Sequence, residues 1–75
     1  MTYTTKDGKT KNSYVLSAAR QDSMCKNGWR LLTANSYREN AQQLYDRLSA
    51  YYNDVRIYEE TTRIAGLHSI FAMCK

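Results

Sequence analysis

A chain of 75 residues is one domain with one thin core, since a domain this small buries only about 60% of its unfolded surface. That leaves no room for a deep, walled active site. The net charge of +4 suits a nucleic acid or an acidic protein partner, and it suits an ordinary solvated surface equally well.

Residues 1–12 are rich in Thr and Lys around Asp7-Gly8, a strong hairpin signal. They read as an edge hairpin or a mobile polar arm, and residues 13–75 as a single α+β domain. Residues 13–19, Ser-Tyr-Val-Leu-Ser-Ala-Ala, read as a strand, followed by a polar stretch ending in the turn pair Asn27-Gly28. The alternative is a short helix over 17–27 capped by Gly28, against which its poor apolar spacing counts. Trp29 to Ala34 reads as the next strand.

The strongest periodic signal follows. Tyr37, Ala41, Leu44, Tyr45, Leu48, Tyr51 and Tyr52 share one stripe of a 3.6-residue repeat. A capping box, Ser36-Tyr37-Arg38-Glu39, opens the segment, and Asn53 suits a left-handed stop. This predicts one amphipathic helix of about four turns. Gln42, Gln43, Asp46 and Arg47 lie on its polar face. Val55 and Ile57 then alternate in the strand 54–58, and Leu67 to Cys74 forms a last strand with two apolar faces, hence a central one. A turn at Ala65-Gly66 would pair Tyr58 with Met73. Val55, Ile57, Ile70, Ala72 and Cys74 would then share the face beneath the helix. The expected fold is therefore a small antiparallel sheet of about four strands with one helix on one face, in the order β-β-α-β-β.

Few residues carry chemistry. The single histidine, His68, lies about 20 Å along the strand from Cys74, too far to pair with it. Cys25 and Cys74 lack the close spacing of a structural zinc site and make no disulfide framework, so both are expected buried and reduced. Glu59 and Glu60 point to opposite sides of a strand, which undermines acid–base work. The glycines are isolated and form no phosphate-binding loop. No enzyme activity, cofactor or metal is expected. No apolar run reaches the roughly 18 residues of a membrane span, and no signal peptide is evident. A cytoplasmic protein is expected.

Tyrosine is over-used, with seven Tyr against one Phe and one Trp. Tyr37, Tyr45 and Tyr51 lie on the helix stripe and are expected in the core. Tyr3, Tyr14 and Tyr58 are left for exposed contact, because tyrosine is favoured at recognition surfaces. The expected partner-binding residues are Arg56, Tyr58, Arg63, Tyr3 and Lys11.

The run Asn35-Ser36-Tyr37-Arg38-Glu39-Asn40-Ala41 into a helix, then Val55-Arg56-Ile57-Tyr58 and Gly66-Leu67-His68-Ser69-Ile70-Phe71, resembles small α/β accessory proteins of phages and mobile elements. Some of these are anti-CRISPRs. The likeness covers residues 29–75 and is one of size and element order. No functional residue carries over from it. The chain is also similar in style to sheet-plus-helix modules such as the peptidoglycan-binding SPOR repeat, a use that the lack of an export signal counts against. The first resemblance implies stoichiometric binding to a larger protein or nucleoprotein, as a monomer or homodimer. Direct, weakly specific nucleic-acid binding through the basic arm and exposed arginines is the alternative.

Overall fold

A computed structural model describes residues 1–36, 38–60 and 69–75, without the side chains of Ala34 and Asn35. In chain order the elements are β1 (Thr2–Thr4), β2 (Thr10–Asn12), β3 (Tyr14–Val15), α1 (Ala18–Lys26), β4 (Arg30–Ser36), α2 (Ala41–Ser49), β5 (Val55–Glu59) and β6 (Ile70–Cys74). The fold is α+β. It differs from the expected order in having a second helix, and residues 1–12 form the hairpin rather than the mobile arm.

The hairpin forms first along the chain. Tyr3 pairs with Lys11 and Thr4 with Thr10, so Lys6-Asp7-Gly8 make a three-residue loop. Gly8 closes it at φ +84°, a left-handed conformation that such loops assign to glycine. The pair β1–β2 stays outside the main sheet and docks on α2 instead. Tyr3 is only 4% exposed, and its ring lies 5.3 Å from that of Tyr45. Thr4 N–H donates to Gln42 Oε1 (2.6 Å), Gln42 Nε2 donates to the Thr4 carbonyl (3.1 Å), and Lys6 N–H donates to the Tyr45 hydroxyl (3.0 Å). The contact role expected of Tyr3 is therefore corrected. Its ring fills core, and its hydroxyl accepts from the buried Ile57 N–H at 3.4 Å.

The main sheet has the order β3-β5-β6-β4. It is mixed rather than antiparallel, because β3 pairs in parallel with β5. The strand expected over 13–19 shrinks to Tyr14–Val15, and the helical alternative prevails from Ala18 onwards. Ser17 decides this locally. Its side chain accepts the Arg20 N–H at the N-terminus of α1, two alanines follow, and Gly28 at φ +94° ends the turn beyond Lys26. Only Met24 of α1 is buried, which is why the apolar spacing understated the helix.

α2 is shorter than the stripe suggested. Its capping box is Asn40–Gln43, with Gln43 N–H donating to Asn40 Oδ1 at 2.8 Å and Asn40 N–H donating to Gln43 Oε1 at 3.4 Å. The box expected at Ser36 is displaced because Ser36 ends β4, paired with Ile70. Glu39 instead holds Arg47 at 2.9 Å across the outer face of α2. The helix stops at Ser49, so Tyr51 swings into solvent at 80% exposure, correcting its expected burial. Tyr45 is buried as expected, and Tyr37 lies outside the described residues.

β6 is central, with β5 and β4 on either side, and all five of its residues are buried. The observed register pairs Tyr58 with Phe71 and Arg56 with Met73, two residues from the expected one. A slip of two leaves side-chain facing unchanged. Val55, Ile57, Ile70, Ala72 and Cys74 do share one face. They pack with Ala41, Leu44, Tyr45 and Leu48 of α2 and with Tyr3. On the other face Phe71 and Met73 pack with Met24 of α1, flanked by Leu16, Trp29 and Tyr58. The sheet is thus covered on both sides, thickly by α2 and the hairpin, thinly by α1. The expected Ala65-Gly66 turn lies outside the described residues.

Candidate functional site

The short β3 leaves an open edge on the main sheet. It pairs only with Tyr58 and Glu59, so the first half of β5 has no strand beside it on that edge. The hairpin stands opposite. Between them lies a solvent-open cleft of about 1440 Å³. The hairpin contributes Lys6, Lys9 and Lys11, the start of α1 contributes Arg20, and β5 contributes Arg56. Two carboxylates line the same cleft. Asp7 sits 3.9 Å from Lys9, and Asp54 sits 3.9 Å from Arg56. Both contacts are long and exposed, so neither neutralises its partner strongly. Lys6, Lys11 and Arg20 form no ion pair among the described residues. The cleft therefore carries a positive surplus.

Its aromatic lining divides into two kinds. Tyr3 and Tyr45 are structural, with their hydroxyls occupied by backbone N–H groups. Burial pushes the Tyr3 phenol above its ordinary pKa, and the Ile57 hydrogen bond only partly opposes this. Tyr58 is half-buried, its ring stacked 5.5 Å from Phe71 and its hydroxyl 3.8 Å from Met24 Sδ. Tyr14, the register partner of Tyr58 on β3, is 64% exposed. It is the most exposed of the four tyrosines that line the cleft among the described residues. Arg56 is held from behind, its guanidinium carbon 4.6 Å from the Trp29 ring centre, with Lys75 Nζ at 5.9 Å from the same ring. That stacking fixes the Arg56 side chain at little entropic cost.

Four of the expected binding residues, Arg56, Tyr58, Tyr3 and Lys11, line this one cleft, though Tyr3 does so from its buried floor. Arg63 lies outside the described residues, as does His68. Sequence reasoning did not select Lys6, Arg20 and Tyr14 as site residues. Lys6 belongs to the basic cluster of the arm, and Tyr14 was recognisable as an uncommitted tyrosine. Arg20 had no signal, because its place depends on α1.

Among the described residues no group of three His, Cys, Asp or Glu side chains is close enough to hold a metal, and no helix is long and apolar enough to cross a membrane. The two cysteines differ sharply. Cys25 is exposed on α1, contrary to the expected burial, and Cys74 is fully buried. Burial, with Asp54 adding to it, pushes the Cys74 thiol up to about 11. A thiol reagent at mildly alkaline pH is expected to label one cysteine per folded chain and both in denaturant. Because folding raises the Cys74 pKa, its contribution to stability is complete below about 9 and is lost as pH climbs toward 11. Denaturant midpoints of wild type and Cys74→Ala compared across that range check the sign. Comparison with protein-family models, curated proteins and solved structures finds no match to this chain.

Proposed function

We propose that this chain is a non-catalytic binding protein of the cytoplasm. It docks on a larger, nucleic-acid-handling partner and occludes or locks it, in the manner of a small phage-type inhibitor such as an anti-CRISPR. The observation that carries this reading is the open cleft, where five cationic side chains from the hairpin, α1 and β5 stand against two carboxylates. A surface of that sign attracts an acidic or phosphate-bearing partner and speeds its encounter. Its size and openness favour a segment of a macromolecule over a small ligand, since small-molecule pockets are enclosed and hold about 300–1,000 Å³. Arg56, stacked on Trp29, is the anchor, because a pre-positioned arginine loses little freedom on binding.

The double reversal Lys11→Glu/Arg56→Glu tests this. Wild type is expected to co-elute with its partner at one-to-one stoichiometry. The variant is expected to bind at least about tenfold more weakly, with a melting temperature within a few degrees of wild type, since exposed charges contribute little to stability. Equal binding by the variant would move the contact surface to the Gln42, Gln43, Asp46 and Arg47 face of α2. Turnover of a substrate by substoichiometric protein would overturn the reading.

A further inference from the structure

We infer that the cleft seats a short run of single-stranded nucleic acid, its phosphates held by Lys6, Lys11, Arg20 and Arg56 and one base stacked on Tyr14. The inference rests on the cleft being the docking surface, and it makes the partner a nucleoprotein engaged where its strand is unpaired. Three features of the cleft point the same way. Cations stand on both walls, on the hairpin side at Lys6 and Lys11 and on the opposite side at Arg20 and at Arg56, whose contact with Asp54 is long and exposed. A chain threaded between the walls meets charge on each flank, as a phosphodiester backbone requires. Next, Tyr14 is 64% exposed in a cleft whose other tyrosines are packed. An exposed ring beside cations is the arrangement on which an unpaired base stacks, because every base has a π-face. An acidic peptide uses the cations but leaves that ring idle. A duplex keeps its bases stacked on each other and offers none to Tyr14. Last, Thr10, Asn12, Ser17 and Asn53 also line the cleft, and their hydroxyl and amide groups add neutral donors of the kind that position phosphates.

The test measures fluorescence anisotropy of labelled oligo-dT and oligo-rU strands with the full chain, from low to moderate salt. Contact by three to five cations predicts a log–log salt slope of about −2 to −3.5. Tyr14→Ala is expected to weaken binding about 5- to 100-fold without changing that slope, because it removes stacking and no charge. Lys6→Glu/Lys11→Glu is expected to weaken binding at least about tenfold and to flatten the slope. Lys26→Glu/Arg38→Glu changes net charge equally at exposed positions outside the cleft, and it is expected to bind like wild type. Equal loss in the two charge pairs, an inert Tyr14→Ala, or duplex binding as tight as single strand would each overturn the inference. So would poly-glutamate binding as tightly as the oligonucleotides. If no oligonucleotide binds, yet Lys11→Glu/Arg56→Glu abolishes a nuclease-resistant complex with a protein partner, the inference fails and the docking reading stands. If that variant leaves every complex intact, both fail.

Discussion

Leu44→Ala is expected to leave the chain without a cooperative melt at physiological temperature. Leu44 is completely buried at the centre of the α2 stripe, among Ile57, Ile70 and Ala72 from the sheet below. Truncating a buried leucine costs about 2–5 kcal/mol, the upper part of the range where the cavity cannot collapse. A two-strand-thick contact between one short helix and a hydrogen-bonded sheet has little freedom to close such a gap. A domain this small holds only about 5 kcal/mol in reserve. Leu48→Ala is expected to behave likewise. Tyr51→Ala, at an 80% exposed position, is expected to stay within about 0.5 kcal/mol of wild type. Circular dichroism melts decide the matter, and a Leu44→Ala transition within a few degrees of wild type would show that α2 does not carry the core.

Tyr3→Ala is expected to release the N-terminal hairpin. The ring lies tilted against that of Tyr45 in the core, and the hydroxyl accepts the Ile57 N–H. Removing a buried aromatic ring costs about 3–5 kcal/mol, and it also strips a buried backbone donor of its partner. Tyr3→Phe removes only the hydroxyl and is expected to cost about 1–3 kcal/mol. The hairpin is held by few other groups, chiefly Gln42 and the Tyr45 hydroxyl. Trypsin reports the outcome, because Lys6, Lys9 and Lys11 become cleavable once β1 and β2 separate from α2. Rapid cleavage at these lysines in Tyr3→Ala, with Tyr3→Phe and wild type protected, is the expected pattern. The same variant is expected to lose ligand binding, since one wall of the cleft leaves with the hairpin.

The parts legible in the sequence were those fixed by periodicity. Leu44 and Leu48 recur at helical spacing, and Val55, Ile57, Ile70, Ala72 and Cys74 alternate, so their faces follow whatever the register. The register itself differs by two residues from the expected one, because alternation fixes which face a side chain takes and leaves an even offset open. Ser36 and Asn40 both satisfy the local chemistry of a cap. Pairing of β4 with β6 chose between them, and that contact joins distant parts of the chain. The parallel β3–β5 pairing was illegible for the same reason. α1 buries only Met24 and so carries almost no stripe to read. Tyr3 lies off the helix stripe and was therefore left for exposed contact, whereas its neighbours in space are Tyr45 and Ile57. Within the cleft, the basic cluster of the arm was visible as residue types. Its meeting with Arg20, Arg56 and Tyr14 is a product of tertiary structure.

β6 also governs what happens when the fold fails. Ile70 to Cys74 is a run of five uncharged residues without proline or glycine, the composition that stacks into cross-β assemblies. In the native sheet it is shielded by a strand on each side and a helix over each face, so nothing of it reaches another molecule. Unfolding uncovers the whole segment at once, with Lys75 beside it as a charged gatekeeper. Loss of structure in this protein is therefore expected to lead toward aggregation, with the survival of a heated or mutated sample falling as protein concentration rises.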